Sequence, residues 1–316
     1  LLTAVLGTHT ACSKSSSDND DLLLNLILFF FGLQTTCTQL SAAASTAPSS
    51  DQLSALYDGL TGAPPAEQQS ALPTGPINTG LFEFPGGPQW IRYYEKDGVA
   101  VFGGDMRMPL SKRIEPIEYN AAVARSVGTS SSSSRWPTQV PFVFRTGSNV
   151  IADQTDVRNA MAHWETYTNF RFIDRTTETH YLSFQADGTG CYSFVGLINS
   201  GAQAVNVDAA CGFGAAVHEI GHALGLFHEQ SRSDRDQFVN IDFSNIQSGL
   251  ASNYDIAGGA SELGQYDFGS IMHYGSFFFA ADSSRQVMTR KDGSIITPNR
   301  TELTQSADGG IRTMYG

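Results

Sequence analysis

Three histidines and a glutamate lie close together in one short segment, HEIGHALGLFH at residues 218–228. On a helix, residues four positions apart share a face, so His218 and His222 can direct imidazole nitrogens at one metal ion about 2.0–2.1 Å away. Glu219 flanks the same site from the adjacent position. Histidines at accidental spacing are the alternative, and the remainder of the segment argues against it.

The second half of the segment supplies a third ligand. Gly225 can adopt the left-handed conformation that ends a helix, after which the chain turns back and presents His228. Three neutral imidazoles leave one coordination position open for water, whose pKa zinc lowers from about 15.7 toward about 7. Glu219 can take the proton of that water and pass it to a leaving amine. The pattern predicts a zinc hydrolase, because structural zinc sites usually have four protein ligands, often cysteines.

The residues that follow resemble the metzincin metallopeptidases, and EQSRSDRD at 229–236 is similar to the astacin family in particular. Downstream, SIMHY at 270–274 resembles the Met-turn of that family. The resemblance implies that Met272 forms an apolar floor beneath the metal. It also implies that Tyr274 is an additional zinc ligand that leaves the metal during catalysis and donates a hydrogen bond to the oxyanion. An ordinary core tyrosine is the alternative.

A resemblance to the upper rim of the family's cleft is carried by GCYSFVG at 190–196. In the family this is an edge strand, along which an extended peptide pairs antiparallel through main-chain hydrogen bonds. It implies that Cys191, Tyr192 and Ser193 contact substrate. Two of the four cysteines, Cys191 and Cys211, lie near each other in this region, and the resemblance pairs them as a disulfide.

The pocket after the scissile bond is indicated by ITPNRTEL at 296–303, where Arg300 matches an arginine of the family. A guanidinium in that pocket would favour Asp or Glu just after the cut. A surface arginine is the alternative. Glu229, next to the third histidine, matches a glutamate that interacts with the new N-terminal ammonium of activated family members, and a surface glutamate is its alternative.

The sequence FGGD at 102–105 resembles the propeptide motif of the family, whose carboxylate takes the open zinc position and excludes the catalytic water. Asp105 is therefore the expected zinc ligand of a latent precursor. The glycines suit this role, because a backbone without side chains can pass close through a narrow cleft. A simple Gly-Gly-Asp turn is the alternative, and the Cys37 thiolate is a rival ligand with no motif around it.

Activation requires a cut between the propeptide and the catalytic unit. Trp136 matches an aromatic residue near the start of mature family members, which places the new terminus near the Arg125–Ser126 bond, a substrate for a trypsin-like protease. The serine-rich stretch 126–134 argues the other way, because a flexible segment is an unusual choice for a terminus that must be buried.

The domain plan follows from composition along the 316 residues: an export leader at 1–37, a propeptide with a linker at 38–125, and the catalytic domain at 126–316. Residues 38–80 are poor in large apolar groups and predict a linker or loose leader. Residues 81–108 are aromatic and β-like, and segments 140–144, 170–173 and 181–184 predict strands around a helix at 153–167. The expected fold is α+β and two-lobed, with a twisted sheet and two long helices in the upper lobe and a largely irregular lower lobe.

The net charge and the N-terminal sequence limit the classes of partner and the cellular location that the chain can have. A net charge of −12 makes nucleic acid a poor partner. Protein or peptide substrates, and a trypsin-like activating protease, are expected for a monomeric secreted enzyme. Cys12 lies in a weak lipoprotein-like cleavage site, so membrane attachment is expected only through lipid there; the apolar run 22–33 is too short to span a bilayer. The alternative function is a noncatalytic, zinc-binding surface lipoprotein.

Overall fold

The structure is a computed structural model, and it describes residues 75–84, 87–114, 135–257, 263–304, 311, 314 and 315. Cys12, Cys37 and the Arg125–Ser126 bond lie outside these residues, so the predictions made for them stay predictions. The same holds for the two boundaries between the three predicted segments.

One mixed sheet of ten strands runs through the described residues, in the order β5-β1-β2-β3-β4-β9-β10-β8-β6-β7. Its strands are β1 Asn78–Phe84, β2 Gly87–Lys96, β3 Val99–Phe102, β4 Met106–Pro109, β5 Arg113–Ile114, β6 Gln139–Phe144, β7 Arg171–Asp174, β8 Tyr181–Gln185, β9 Cys191–Phe194 and β10 Ala202–Val207. Strands β1 to β5 pair with one another antiparallel, whereas β10, β8, β6 and β7 are parallel neighbours.

Two helices cover the part of the sheet that β6 to β10 form. They are α1 at Thr155–Tyr167 and α2 at Gly212–Ala223. The indole nitrogen of Trp164 in α1 donates to the Val217 carbonyl in α2 (3.0 Å), and Trp164 is fully buried. This contact fixes α2, which carries the first two histidines, against the core. The strands and helix predicted for 140–144, 153–167, 170–173 and 181–184 are confirmed within two residues.

Strand β9 is not the edge strand that the sequence led us to expect. It pairs antiparallel with β10 on one side and parallel with β4 on the other, through Met106 opposite Ser193 and Arg107 opposite Phe194. An edge strand presents unpaired N–H and C=O groups that another strand can satisfy. In this chain β4 satisfies them, so β9 lies inside the sheet.

The expected linker also ends earlier than predicted, because β1 begins at Asn78 and not after residue 80. The ring of Phe84, in the N-terminal strands, packs edge-on against Phe102 and Phe227, and Phe102 packs at a tilt on Phe227 (ring centres 4.9–6.3 Å apart). Burial of apolar area on both sides therefore holds the N-terminal strands to the rest of the sheet.

The chain beyond Phe227 is largely irregular in its described residues, as predicted for the lower lobe. It has short 3-10 turns and a two-stranded sheet of β11 Val239–Ile241 and β12 Met288–Arg290. Buried aromatic residues form its core, among them Tyr254, Tyr274, Phe278 and Phe279. Across the described residues, no helix has the length and apolar character needed to cross a membrane.

Candidate metal centre

The three histidines converge as predicted. His218 and His222 lie on one face of α2, which ends at Ala223. Gly225 has φ +105° and its N–H bonds the His222 carbonyl (2.8 Å). The chain turns at that glycine and brings His228 back to the other two rings, where all three side chains are buried.

The spacing of the ring nitrogens suits one zinc ion. Nε2 of His228 lies 3.2 Å from Nε2 of both His218 and His222, close to the ~3.3 Å that tetrahedral bonds of about 2.0–2.1 Å would require. Nδ1 of His218 donates to the Ile271 carbonyl (2.8 Å) and Nδ1 of His222 to the Leu226 carbonyl (2.7 Å). These bonds fix the tautomer that leaves Nε2 available as a ligand.

Asp105 reaches the same point from the N-terminal strands. Its Oδ1 lies 3.2 Å from His228 Nε2 and 3.5 Å from His222 Nε2, and its Oδ2 lies 3.5 Å from His218 Nε2. One ligand atom from each of these four residues falls within 4.8 Å of the others. Among the described residues this is the group whose geometry could hold a metal ion.

The electrostatics of the four groups fit a divalent cation. Burial lowers the pKa of His222 and lowers that of His228 to about 3, so these imidazoles are neutral, as ligands must be. Burial opposes ionisation of Asp105, yet its pKa lies well below its usual range. A buried carboxylate among neutral rings leaves negative charge that zinc would balance.

Two glycines allow Asp105 to enter. Gly103 has φ +56° and Gly104 has φ +92°, a region that side chains other than glycine rarely adopt. A Cβ on Gly103 would lie 2.2 Å from Met106 Cε, and a Cβ on Gly104 would lie 2.9 Å from the Tyr274 hydroxyl. The Phe-Gly-Gly-Asp motif therefore needs both glycines for its close approach.

Tyr274 lies beside the histidines with its ring centre 4.4 Å from that of His228. Its hydroxyl donates a hydrogen bond to the carbonyl of Gly103. The residue is buried, and its backbone N–H bonds the side chain of Gln230 (3.1 Å). Its predicted roles as zinc ligand and oxyanion donor stay predictions.

The residues around the predicted Met-turn pack against α2. Met272 is buried, and a Cβ on Gly221 of α2 would lie 2.7 Å from its sulfur, so helix and turn are in close contact. His273 is buried, and its Nε2 bonds the Tyr266 hydroxyl (2.7 Å), which gives this fourth nearby histidine a structural partner. Glu219 is completely buried in α2 beside the ligands.

Arg300 extends beneath the same turn. One of its terminal nitrogens, Nη1, donates to the carbonyls of Ile271 (2.9 Å) and His273 (3.4 Å). A Cβ on Gly214 of α2 would lie 2.0 Å from the Arg300 carbonyl oxygen, so only glycine fits there. The structure thus gives Arg300 a contact with the Met-turn, and its role in substrate selection stays a prediction.

Glu229 and Trp136 are the two residues that the sequence relates to an activated terminus, and the structure gives each of them a hydrogen bond. Glu229 Oε1 accepts the backbone N–H of Asp267 (2.9 Å), and burial raises the pKa of its carboxyl to about 7. Trp136 is buried, and its indole N–H donates to the Ala223 carbonyl (2.9 Å) at the end of α2. Both residues are fixed near the zinc helix.

The rim carries the predicted disulfide, Cys191 to Cys211, with Cα atoms 6.0 Å apart. It joins β9 to the residue that precedes α2. Sequence reasoning missed Arg107, which lies over the face of the Tyr192 ring, and Asp187, which accepts a hydrogen bond from the Tyr192 hydroxyl. The sequence does contain a signal for Arg107. This arginine lies between two methionines in a β-like segment, so it puts a charge in a segment that is expected to be buried.

Together, a helix bearing the first two histidines, a glycine turn to the third and a buried methionine in contact with that helix define a metallopeptidase of the metzincin class. The chain belongs to the astacin family: the model of that peptidase family, described as Astacin, matches residues 128–315.

Similar proteins lie within the same family. The chain is 42% identical to Blastula protease 10 of Paracentrotus lividus over 170 residues, which is 50% of this chain and 28% of that protein. It is 37% identical to mouse Tolloid-like protein 2 over 207 residues, 62% of this chain and 20% of that protein. The chain therefore spans less than a third of the length of these relatives.

A solved structure gives the same fold. High choriolytic enzyme 1, a hatching enzyme zinc-protease from Oryzias latipes, aligns with a TM-score of 0.55 and 30% identity, over 60% of this chain and 98% of that one.

Proposed function

We propose that the chain is a zinc-dependent endopeptidase that stays inactive until its N-terminal segment is removed. The observation that carries the proposal is the convergence of three histidine Nε2 atoms beside the buried Glu219. Membership of a peptidase family supports it. Proteins or peptides that lie extended along β9 are the expected substrates.

The chemistry divides among a few side chains. Zinc held by the three histidines would lower the pKa of a water toward about 7. Glu219 acts as general base, taking a proton from that water and passing it to the leaving amine. Tyr274, once released from Gly103, donates its hydroxyl to the developing oxyanion. The main chain of β9 orients the peptide.

Hydrolysis of casein by the processed chain tests the endopeptidase proposal. The wild-type chain is expected to cleave casein, and a zinc chelator should stop it. Glu219→Gln should also be inactive while retaining zinc, because Glu219 has no ligand duty. A Glu219→Gln chain as active as the wild type would contradict the proposed mechanism. A processed wild-type chain that binds zinc but does not cleave casein would favour the noncatalytic alternative.

Latency is proposed to come from Asp105 and from the direction of β4. Asp105 lies among the zinc ligands, where its carboxylate would exclude the catalytic water. β4 runs parallel to β9, whereas a substrate is expected to run antiparallel. A reversed chain does not present a peptide bond to Glu219 as a substrate does, which supports a precursor that blocks its cleft without being cut.

Latency is tested by measuring peptide hydrolysis with unprocessed precursors. Asp105→Ala should release activity, because removing the carboxylate frees the fourth ligand position. Cys37→Ser should stay latent. The reverse result, a latent Asp105→Ala chain and an active Cys37→Ser chain, would assign the switch to the thiolate.

Processing is proposed to occur at the Arg125–Ser126 bond, after which the new ammonium approaches Glu229. The buried carboxyl of Glu229 supports this, because a cation there would stabilise its charged form. N-terminal sequencing of trypsin-activated chain should find a start at Ser126. A start beyond Trp136 would exclude the idea.

Arg300 is proposed to give the enzyme a preference for an acidic residue just after the scissile bond. Nη1 is directed at the carbonyls of Ile271 and His273, which holds the guanidinium against the turn that contains Met272. Cleavage of a peptide library should show enrichment of Asp and Glu just after the cut, and Arg300→Lys should reduce it because bidentate pairing is lost. Equal cleavage of acidic and neutral peptides would remove the claim.

The proposed location is outside the cell, either free or attached through lipid at Cys12. The Cys191–Cys211 disulfide supports export, since such bonds persist in oxidising compartments. Fractionation of expressing cells tests this: the chain should be in the medium, or at the surface and released by Cys12→Ser. A chain confined to the cytosol would contradict it.

A further inference from the structure

An arginine of the N-terminal segment is buried against the rim. The guanidinium carbon of Arg107 lies 3.5 Å from the centre of the Tyr192 ring, and Arg107 is only 5% exposed. Its Nε and Nη2 are buried and make no hydrogen bond within the part of the chain that the structure describes. A guanidinium over an aromatic face is a cation–π contact, which contributes most where water is excluded. The face of Tyr192 is therefore built to take a cation.

A carboxylate lies at the hydroxyl end of the ring. The Tyr192 hydroxyl donates to Asp187 Oδ2 (2.6 Å), and Asp187 Oδ1 accepts the backbone and side-chain donors of Thr189 (3.0 and 2.7 Å). Burial opposes ionisation of Asp187, but these hydrogen bonds and the charge of Arg107 hold its pKa below the ordinary value. Tyr192 and Asp187 remain with the catalytic domain when the N-terminal segment leaves.

The position of Arg107 relates it to the scissile bond. Ser193 N–H bonds the Asp105 carbonyl (3.2 Å), and Val195 N–H bonds the Arg107 carbonyl (3.2 Å). Asp105 lies beside the metal ligands. Arg107 is two residues farther along β4, opposite a part of the chain that is nearer the carboxyl end of β9. A peptide that runs antiparallel to β9 would place, at that level, a residue that precedes the bond being cut.

We propose that Tyr192 and Asp187 form a subsite for a basic side chain of the substrate, on the amino-terminal side of the scissile bond, and that Arg107 fills this subsite in the precursor. The proposal rests on the endopeptidase function proposed above. A lysine or arginine would stack on the Tyr192 ring and gain the opposite charge of Asp187. A neutral aliphatic side chain would gain neither.

The experiment uses the full chain activated by limited trypsin treatment, after which trypsin is blocked with a serine protease inhibitor. A peptide library first locates any enrichment of Lys or Arg among the three positions before the cut. Peptides that differ only by lysine or norleucine at that position are then compared. The ratio of their kcat/KM values is expected to favour lysine on the order of tenfold for one desolvated cation contact.

Three variants locate the preference. Tyr192→Leu removes the aromatic face, and Asp187→Asn removes the charge while keeping an oxygen for Thr189; each should bring the ratio toward one. Asp292→Asn makes the same charge change at an exposed turn whose carboxylate bonds Ser294, and should leave the ratio unchanged. Because each ratio is internal to one variant, a general loss of activity does not change it.

Three results would overturn the subsite. A wild-type chain that cleaves casein with a ratio near one would show that Arg107 only anchors the N-terminal segment, and the endopeptidase would stand. A ratio that survives both Tyr192→Leu and Asp187→Asn would place the preference elsewhere. A processed wild type that cleaves neither casein nor peptides would overturn the proposed function, and the subsite with it.

Discussion

The Tyr274 hydroxyl donates a hydrogen bond to the backbone carbonyl of Gly103. Asp105, two residues farther along the same segment, lies among the three histidines. One short piece of chain therefore contacts both the metal ligands and the tyrosine that is expected to stabilise the oxyanion. Removal of this piece would release the two groups together.

The fit of this segment predicts the effect of Gly104→Ala. The added Cβ would lie 2.9 Å from the Tyr274 hydroxyl and 3.0 Å from Phe279 Cζ, at φ +92°. Backbone strain of this kind costs about 1–3 kcal/mol, so unprocessed Gly104→Ala should show a roughly tenfold or larger rise in peptide hydrolysis. Gly98→Ala is the matched control, because Gly98 has φ +79° but its Cβ would meet nothing within 4 Å. Equal activity of the two precursors would contradict the account.

Tyr274→Phe should slow the processed enzyme without loss of zinc. Removal of one oxyanion donor costs about 10²–10³ in kcat. Tyr254→Phe provides the control, because Tyr254 is also a buried tyrosine whose hydroxyl donates to a carbonyl, that of Phe278 (2.6 Å). That control should lose about 1 kcal/mol of stability with little change in kcat. An unchanged kcat for Tyr274→Phe would assign this tyrosine to the core.

The disulfide should contribute to stability as well as to rim geometry. It closes a loop with a sequence separation of 20, for which chain entropy predicts about 3 kcal/mol. Replacing Cys191 and Cys211 together by Ala should lower the free energy of unfolding by that amount. Urea denaturation in the Glu219→Gln background avoids self-digestion during the measurement. An unchanged midpoint and slope would show that the bond contributes nothing.

The ion pair between Arg92 in β2 and Asp255 in the irregular region after Phe227 should contribute little to latency. Its side chains are 46% and 33% exposed, and exposed pairs are worth about 0–1 kcal/mol. Unprocessed Arg92→Ala should therefore gain less than about fivefold in peptide hydrolysis, well below the gain of Asp105→Ala. A gain as large as that of Asp105→Ala would make this pair a principal lock.

The zinc ligands were predictable because their geometry is local. The spacing of His218 and His222 on a helix, and the turn at Gly225, involve only neighbouring residues. Helix α1 and strands β6 to β8 were predictable from their apolar periodicity. Asp105 came from a short motif, and its position among the histidines agrees with that prediction.

The pairing of β4 with β9 could not be read from the sequence. Strand partners and direction depend on which edge is free in the folded chain, and β9 has no local feature that selects β4. Burial of Arg107 follows from this pairing, because Tyr192 becomes its neighbour only when the strands meet. The hydrogen bond of Tyr274 to Gly103 likewise joins residues 171 positions apart.

The ligands of the metal in the precursor can be seen in a crystal structure of the zinc-loaded Glu219→Gln precursor, with the ion located by anomalous scattering at the zinc edge. We expect one zinc ion held by His218, His222 and His228, with an Asp105 carboxylate oxygen about 2.0–2.2 Å from the metal. A water molecule or the Cys37 thiolate in that fourth position would contradict it.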